Sequence, residues 1–439
     1  MGMVNENKDK LFAQMPLIES VKSQLSMRAG GDRVIWLLVL LLASVSVLVV
    51  YSATGSLAYK MNKGNNEAYL FKQLIFFIIG FVCIYFAHLA NYQMYSKFAN
   101  ALFIFSIFAL IYTYFFGAKI NEGSRWIKLP ILNFTLQTSD IARLALFIFI
   151  SKILSKRQEE IKDFKKGFLP LFWAVVIICG LIAPANLSTA LLTGATALVV
   201  MFIGRVAAKH LALVVGTGAF FIIILLCLAA IMHESKQKDT SSSAITEKLV
   251  SYGRVGTWIK RVQDFVFEKE DESFSAHSQI QQAKIAIANG GLLVGLGPGN
   301  SRQRNFLPHS YSDFIYAIII EEYGLLGGLI IILVYLGFLF RCIRIFKKCP
   351  YAFGAFLALA LSFTLVIQAV ANMAVNVNLV PVTGVTLPLV SMGGSSFLFT
   401  CISIGIILSV SRSVEALEGK DTPLPTAVAV PAVANNAEA

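Results

Sequence analysis

The hydrophobic positions of this chain form long continuous runs that are separated by short polar stretches. A helix that crosses a bilayer needs about 20 mostly apolar residues, and about ten runs of this length follow one another. They cover residues 34–53, 69–90, 98–117, 139–155, 168–184, 187–204, 209–232, 311–340, 352–377 and 393–411. The pattern predicts an all-α fold, that of a polytopic integral membrane protein with about ten transmembrane helices.

The polar stretches predict how the chain is organised. Residues 1–32 form a cytoplasmic tail, residues 33–412 one membrane domain, and residues 413–439 a second tail that is expected to be disordered. The largest insertion, residues 233–310, is an outer loop between spans seven and eight. Its aromatic residues predict short amphipathic helices on the bilayer surface; they are Tyr252, Trp258, Phe265, Phe267 and Phe274.

Composition and charge exclude an ordinary soluble domain and a nucleic-acid-binding protein. Only 14% of the residues are charged, whereas soluble domains have about 25%. The net charge of +12 comes from basic residues in short loops at alternate ends of the runs, as the positive-inside pattern requires. This places both termini in the cytoplasm. The loops around 54–68, 118–138, 233–310 and 378–392 then face outward. No cysteine lies in the long outer loop, so we expect neither a disulfide framework nor a metal cluster.

One carboxylate, that of Asp313, stands at a predicted membrane edge. It ends the polar stretch FLPHSYSD and precedes the apolar run FIYAIII. A carboxylate is costly to hold near lipid. It can act as a base if it faces water, or bind a cation or relay a proton if it faces a cavity. A structural alternative is that Ser312 or Asp313 caps the following helix. Glu321 is about 12 Å further along that helix and is expected to pair within the bundle.

A second group of candidates lies in GSRWI and LQTSDIAR, residues 123–127 and 136–143. Arg125 can hold a phosphate through its planar guanidinium group or pair with a carboxylate. Trp126 is either an interfacial anchor or a substrate contact. Asp140 and Arg143 are three residues apart on a predicted helix, which favours an intrahelical ion pair.

Three further segments are irregular. In PANLSTALL, Pro184 ends one helix and Asn186 or Ser188 is expected to cap the next. The glycine-rich residues 279–300 predict either an irregular loop packed on the membrane domain or a cleft wall whose N–H groups bind an anion. Prolines and glycines in residues 378–396 prevent a continuous helix, so this segment is expected to line the same outer cleft as Asp313.

Taken together, these motifs resemble the SEDS family (FtsW, RodA and the sporulation member SpoVE). The resemblance rests on their order over residues 33–412: Gln279-x-x-Gln282, the glycine run, LP…SDFIYA…EE-G, and P-V-T-G…LP…S-x-GGSS. Some positions differ from the usual pattern, namely His309 to Ser312 before the aspartate, Thr138 for proline, Asn186 for an acidic residue and Met392 for tyrosine.

The resemblance implies a membrane glycosyltransferase that polymerises lipid II into peptidoglycan, most like FtsW and hence septal. It implies that the protein acts together with a class B penicillin-binding protein and with other membrane proteins of cell division. Asp313 is the expected catalytic base. The expected diphosphate clamp is Arg125, with Lys128 or a divalent cation (Mg²⁺ or Mn²⁺) as a further candidate; no other cofactor and no metal-ligand set is expected. The remaining substrate-binding candidates are Trp126, Gln279, Gln282, Gly297, Asn300, Thr383, Ser395 and Ser396.

Two other functions fit ten spans with buried carboxylates and broken helices. The first is a lipid flippase or secondary transporter, whose essential charges would lie near the bilayer midplane. The second is a non-catalytic scaffold that recruits a division synthase. The candidate residues around Asp313 lie at the predicted outer face, which favours a reaction at that face over transport through the midplane.

Overall fold

The computed structural model describes residues 30–55, 66–120, 123–129, 134–237, 276–308 and 310–421. Within these ranges the chain is mostly helical. The helices are α1 Arg33–Ala53, α2 Asn66–Leu89, α3 Tyr92–Phe116, α4 Thr138–Lys156, α5 Leu169–Ile182, α6 Leu187–Ile203, α7 Ala208–Gln237, α8 Ala276–Gly290, α9 Ile315–Lys348, α10 Ala352–Asn376 and α11 Ser395–Asp421. A π-helical turn, Phe164–Phe168, precedes α5, and a 3₁₀ turn, Gln303–Asn305, follows α8.

Each of the ten predicted hydrophobic runs falls on one of these helices. Seven helices within the described ranges are long and apolar enough to cross a membrane: α1, α2, α3, α5 with its π-helical turn, α9, α10 and α11. Helix α6 has a shorter apolar stretch, Leu187–Ile203, and α4 carries Asp140 and Arg143 as well as two lysines. For α7 the described apolar side chains cover Ala208–Ile224, which is part of its apolar run. A membrane-spanning bundle is therefore established, whereas the number of ten spans stays a prediction.

The centre of the bundle is formed by α10 and α11. Their most apolar windows are 72% and 67% buried, compared with 28–39% for the other five spans. Helix α10 packs against α9, α4 and α6, and α11 packs against α2. The outer helices keep large apolar side chains exposed, for example Phe105 and Phe108 on α3, as expected for surfaces that face lipid.

Helix α1 connects the two ends of the bundle. Its 21 residues correspond to about 31 Å of helix, close to the roughly 30 Å thickness of the hydrocarbon core. Beside its first turn Asp32 pairs with Arg341 at 2.6 Å. At its last turn the Ser52 hydroxyl donates a hydrogen bond to Glu322. These two polar contacts therefore mark opposite ends of the membrane domain.

The expectation of an all-α fold was wrong between α3 and α4. There the chain forms a three-stranded antiparallel sheet of β1 Ala118–Ile120, β2 Gly123–Leu129 and β3 Phe134–Gln137, in the order β1-β2-β3. Trp126 on β2 pairs with Gln137 on β3. The strands are only three to seven residues long, which is too short for the sequence pattern to distinguish them from a loop.

The glycine-rich loop after α8 packs against a break in α9. Gly324 has a φ of 74°, and this break frees carbonyl groups on the preceding turn. The N–H groups of Leu296 and Gly297 donate to the carbonyl oxygens of Glu321 and Glu322 at 2.9 and 3.0 Å. These two N–H groups are therefore not available to an anion, although residues 291–294 of the loop are exposed.

The side chains of the two glutamates beside this break are also held inside the bundle. Glu321 is fully buried and accepts hydrogen bonds from the Ser301 hydroxyl, the Arg302 N–H at 3.2 Å and the Gln303 N–H at 3.3 Å. The expectation that Glu321 pairs within the bundle is confirmed.

Gly290→Ala is expected to destabilise the protein, because a Cβ at this position would overlap the Ile320 carbonyl oxygen. The backbone at that point cannot move without disturbing α9. The substitution should therefore lower the free energy of unfolding by about 1–3 kcal/mol, as at other overpacked sites. Thermal unfolding in detergent measures it. Gly216→Ala is the matched control, since a Cβ there has no neighbour within 4 Å. Equal melting temperatures for the two variants would contradict the packing described for this loop.

Several predictions fall on residues outside the described ranges. They concern most of both tails (residues 1–29 and 422–439), the aromatic residues of the long outer loop (Tyr252, Trp258, Phe265, Phe267 and Phe274) and His309. The disorder expected from residue 413 onward was wrong for residues 413–421, which continue α11.

Candidate functional site: a polar cleft beside Asp313

A cleft of about 380 Å³ opens between the β-sheet, five helices and the segment between α10 and α11. It is more polar than the rest of the bundle, and it contains two aspartates and an arginine. The residues that line it are Trp126, Gln137, Asp140, Arg143, Asn186, Thr189, Gln279, Ser312, Asp313, Gln368, Val382, Gly384, Val385, Thr386, Met392, Gly393, Gly394 and Ser396.

The Asp313 carboxylate is half-buried in this cleft. Its side chain accepts a hydrogen bond from the Ser312 hydroxyl at 2.6 Å and forms no ion pair within the described residues. The expectation that Ser312 or Asp313 caps the next helix was wrong. Helix α9 begins at Ile315, its N-cap residue is Phe314, and no side chain of that residue bonds to the first turn. The carboxylate therefore remains available to a ligand.

Two asparagines on α10 hold the backbone of Asp313. The side-chain amides of Asn372 and Asn376 donate to the Asp313 carbonyl oxygen at 2.8 and 3.0 Å. The side-chain oxygen of Asn376 also accepts from the Ala317 N–H at 3.0 Å. A neighbouring helix thus supplies the cap that sequence reasoning assigned to Ser312 or Asp313. Because both asparagines are buried, they fix where the carboxylate stands.

The segment between α10 and α11 forms the facing wall, as predicted. Ser391 donates through its hydroxyl to the Ser312 carbonyl oxygen at 2.6 Å, and the Met392 N–H donates to Tyr311 at 2.9 Å. Gly384 has a φ of 65°, and a Cβ built on it would lie 3.6 Å from the Asp313 carboxylate oxygen. Irregular backbone is therefore placed directly beside the candidate base.

A buried ion pair lies on another side of the cleft. Arg143 and Asp140 are 3.0 Å apart on α4, so the predicted intrahelical pair is confirmed. Arg143 also donates to the Gln368 side-chain oxygen at 2.8 Å, and the Gln368 amide donates to the Thr386 carbonyl at 3.0 Å. One oxygen of Asp140 and the Nε of Arg143 have no hydrogen-bond partner among the described residues.

The structure brings together some of the predicted site residues. Trp126, Gln279 and Ser396 line the cleft with Asp313. Ser395 is fully buried behind it and accepts from the Gln137 N–H at 2.9 Å. The cap predicted at Asn186 is confirmed, because its side chain accepts from the Thr189 N–H at 3.3 Å.

Other predicted residues lie outside the described lining of the cleft. Gln282 follows Gln279 by one turn of α8, and Thr383 lies between two lining residues. Gly297 and Asn300 belong to the loop beside the break in α9, where the Asn300 amide donates to the Leu296 carbonyl at 3.1 Å. Arg125 and Lys128 lie on β2; their side chains are outside the described part of the structure.

Sequence reasoning missed Gln368, Asn372 and Asn376 as members of the site. A detectable signal exists, since these amides recur every four residues in α10, whose other residues are mostly apolar. That spacing places them on one helix face. Arg143 was identified only as an ion-pair partner, because its spacing from Asp140 does not reveal that the pair borders a cleft.

The donor set of the cleft is compatible with a divalent cation only if substrate contributes ligands. No group of three or more His, Cys, Asp or Glu side chains that would hold a metal ion occurs among the described residues. Mg²⁺ in proteins often uses one or two carboxylates together with substrate phosphates. Asp313, with only a hydroxyl bonded to its carboxylate, meets that requirement.

Gly384→Ala is expected to lower activity more than stability. The substitution strains a left-handed backbone position, which costs about 1 kcal/mol, and adds a methyl group next to the Asp313 carboxylate. Gly394→Ala, on the same wall, is the control, since a Cβ there has no neighbour within 4 Å. Melting temperature and polymerisation of lipid II should be measured for both. An unimpaired Gly384→Ala variant would show that ligands do not approach Asp313 from this wall.

Comparison with known proteins connects this architecture to a family. The family model of FtsW, RodA and SpoVE, described as "Cell cycle protein", matches residues 32–416. A probable peptidoglycan glycosyltransferase FtsW of Trichlorobacter lovleyi is 31% identical over 399 residues, which cover 90% of this chain and 97% of that protein. Stage V sporulation protein E of Bacillus subtilis is 31% identical over 397 residues, with 88% and 98% coverage.

Solved structures show the same fold. A chain from a peptidoglycan synthase complex, studied for its coordination of polymerization and crosslinking, superposes with a TM-score of 0.66. It has 23% sequence identity, with coverage of 88% of this chain and 98% of that one. RodA of Thermus thermophilus, a rod shape determining protein, superposes with a TM-score of 0.59 at 19% identity, with 87% and 97% coverage.

A bundle of apolar helices with a carboxylate-bearing cleft defines an integral, multi-pass membrane protein with a polar site. Within that class, the match over most of the length settles the family. The chain belongs to the FtsW/RodA/SpoVE family.

Proposed function

We propose that this protein is a peptidoglycan glycosyltransferase that polymerises lipid II for septal cell-wall synthesis. The observation that carries the proposal is the Asp313 carboxylate, which lies in a polar cleft and is neither ion-paired within the described residues nor used as a helix cap. The names of the relatives support the reaction class, since several are probable peptidoglycan glycosyltransferases called FtsW.

The proposal places the cleft at the extracytoplasmic face of the inner membrane and both termini in the cytoplasm. Two features support this orientation. Lys152 and Lys156 lie at the end of α4 that is opposite to Asp140, and Arg341 lies in α9 on the far side from Asp313. Clusters of lysine and arginine favour the cytoplasmic side of a membrane. The cleft then faces outward.

In the proposed mechanism Asp313 is the general base. It accepts the proton of the 4-hydroxyl group on one lipid-linked sugar as that oxygen forms a bond to the anomeric carbon of another lipid II. The bond between the anomeric carbon and the diphosphate oxygen breaks, and its electron pair leaves with undecaprenyl diphosphate. Asn372 and Asn376 serve as positioning residues, since they hold the Asp313 backbone.

Charge that develops on the diphosphate requires a cationic partner. Among the described lining residues Arg143 is the one cationic side chain, and its guanidinium group is held by Asp140 and Gln368. Arg125 and Lys128 on the adjacent strand remain proposed contributors. A divalent cation such as Mg²⁺ or Mn²⁺ would be held by Asp313 and would supply positive charge for the diphosphate; Asp313 would then act as its ligand and not as the general base.

The proposed partner is a class B penicillin-binding protein, which would crosslink the new strands, along with other division proteins. The structural similarity to a chain of a peptidoglycan synthase complex supports this pairing. A transpeptidase bound at the same membrane would receive the glycan strand as it leaves the cleft.

Polymerisation in a purified system tests the proposal. The protein is combined with lipid II and a partner whose transpeptidase serine is blocked, and glycan strands are separated by electrophoresis. Product that persists with penicillin and moenomycin supports a glycosyltransferase activity of this chain. Absence of product would contradict it. Transfer of lipid II across vesicles without polymer would instead identify a flippase, and stimulation of a separate synthase without either activity would identify a scaffold.

A further inference from the structure

A second cleft, lined by lysine and aromatic side chains, lies at the opposite end of the bundle from Asp313. It is bounded by the first turns of α3 and α10 and by the last turns of α4, and its volume is about 670 Å³. We call it the lysine groove. Its lining consists of Tyr92, Gln93, Ser96, Lys97, Lys152, Ser155, Lys156, Tyr351, Ala352 and Phe353.

We propose that the lysine groove binds the phosphate-bearing headgroup of an anionic membrane lipid. Three ammonium groups, those of Lys97, Lys152 and Lys156, border the same space. None of them pairs with a carboxylate among the described residues, and the described lining contains no Asp or Glu. Like charges gathered around one cleft repel one another, and a bound anion removes that cost.

Two other cations at this end of the bundle have acidic partners. Arg341 pairs with Asp32 at 2.6 Å, and Lys348 pairs with Glu418 at 2.8 Å. Such pairs show that this end of the protein can place carboxylates beside its basic side chains. The three lysines of the lysine groove differ from these two cations, because they border one cavity whose described lining contains no acidic side chain.

Helix dipoles explain only part of the positive charge in the lysine groove. Lys152 and Lys156 lie at the C-terminal end of α4, which favours positive charge. Lys97 lies in the second turn of α3, near the opposite and positive end of a helix, so the dipole gives no reason for a cation there. The N-terminus of α10 at Ala352, which is the positive end of that helix dipole, also borders the groove. The N-cap residue of α10, Tyr351, makes no side-chain capping bond.

Two contacts hold part of the groove lining in place, while Lys97 and Lys156 are exposed. Lys152 donates to the Asn100 side-chain oxygen at 2.9 Å, and Tyr92 stacks on Phe353 with 6.4 Å between ring centroids. Ser96 and Ser155 supply hydroxyl groups within the lining. Ammonium and hydroxyl donors around a cavity match the oxygen atoms of a phosphate group.

A lipid fits this site better than free phosphate because apolar surface lies next to it. Met94 and Phe98, on the same helix as Lys97, are 49% and 56% exposed. Acyl chains can lie along such a surface while the headgroup occupies the groove. Basic pockets between transmembrane helices on the cytoplasmic side are suited to anionic headgroups, and this orientation is the one proposed above.

Native mass spectrometry of the full-length protein tests the proposal. The protein is released from nanodiscs that contain phosphatidylglycerol and phosphatidylcholine, and retained lipids are counted. The wild type should retain phosphatidylglycerol. The variant Lys97→Gln/Lys152→Gln/Lys156→Gln should retain it at least about tenfold less, since it lacks the three cations that attract the anionic headgroup.

The control variant is Lys162→Gln/Lys165→Gln/Lys347→Gln, which removes the same charge from exposed positions outside the groove. It should retain lipid as the wild type does. An equal loss in both variants would overturn the proposal, because it would show attraction by net charge alone. Displacement of the lipid by millimolar inorganic phosphate would also overturn it, and would identify a site for soluble phosphate. Melting temperatures in phosphatidylcholine nanodiscs show that both variants fold.

Discussion

Asp313→Asn is expected to reduce lipid II polymerisation by about 10²–10⁴-fold, the usual contribution of a general base. The amide cannot accept the proton of the attacking hydroxyl group. Stability should change little, because the hydrogen bonds that hold this residue reach its backbone carbonyl oxygen from Asn372 and Asn376. Glycan strand synthesis with purified lipid II measures the first effect, and thermal unfolding measures the second.

Glu159→Gln is the control for this substitution, since Glu159 is exposed on the loop after α4. It should leave both activity and melting temperature unchanged. If Asp313→Asn retains full activity, Asp313 is not the base. If the variant loses activity and also unfolds at a lower temperature, its role is structural.

Arg143→Gln should cause the second large effect, on stability as well as activity. Its side chain and that of Asp140 are 12% and 3% exposed. Removal of one partner leaves a buried charge without compensation, which typically costs about 3–5 kcal/mol. The loss of a cation beside the cleft should also lower polymerisation. Unfolding in detergent and strand synthesis report the two effects separately.

The double variant Asp140→Asn/Arg143→Gln separates the two roles of the arginine. It removes both charges, so the unfolding free energy should return most of the way to that of the wild type. Polymerisation should remain low if Arg143 stabilises the diphosphate. Recovery of activity along with stability would show that the ion pair only supports the fold, and would leave Arg125 and Lys128 as the candidates for the clamp.

Hydrophobic runs predicted the helices well, because about 20 apolar residues leave few alternatives to a membrane span. The small sheet was missed, since strands such as Phe134–Gln137 are too short to produce a clear alternation. The error at Asp313 has a different cause. Ser312 and Asp313 come just before α9, so the local sequence favours one of them as its N-cap. The first turn of α9 is instead capped through the Ala317 N–H by Asn376, a residue 59 positions further along the chain.

The site was predicted where its parts are close in sequence or share a recognisable motif. Asp313 and the wall around Gly384 belong to this group. Gln368 was missed because it connects Arg143 on one helix to Thr386 on an irregular segment. Contacts of this kind depend on how helices pack, and the spacing of residues along one helix does not determine that packing.

The two asparagines of α10 make the position of the Asp313 carboxylate depend on the relative placement of two helices. Asn376 bonds both to the Asp313 carbonyl oxygen and to the first turn of α9. A protein that binds the outer end of α10 and shifts it relative to α9 would strain these bonds and displace the carboxylate. The position of the proposed base therefore depends on how α10 packs against α9, and not on the cleft lining alone.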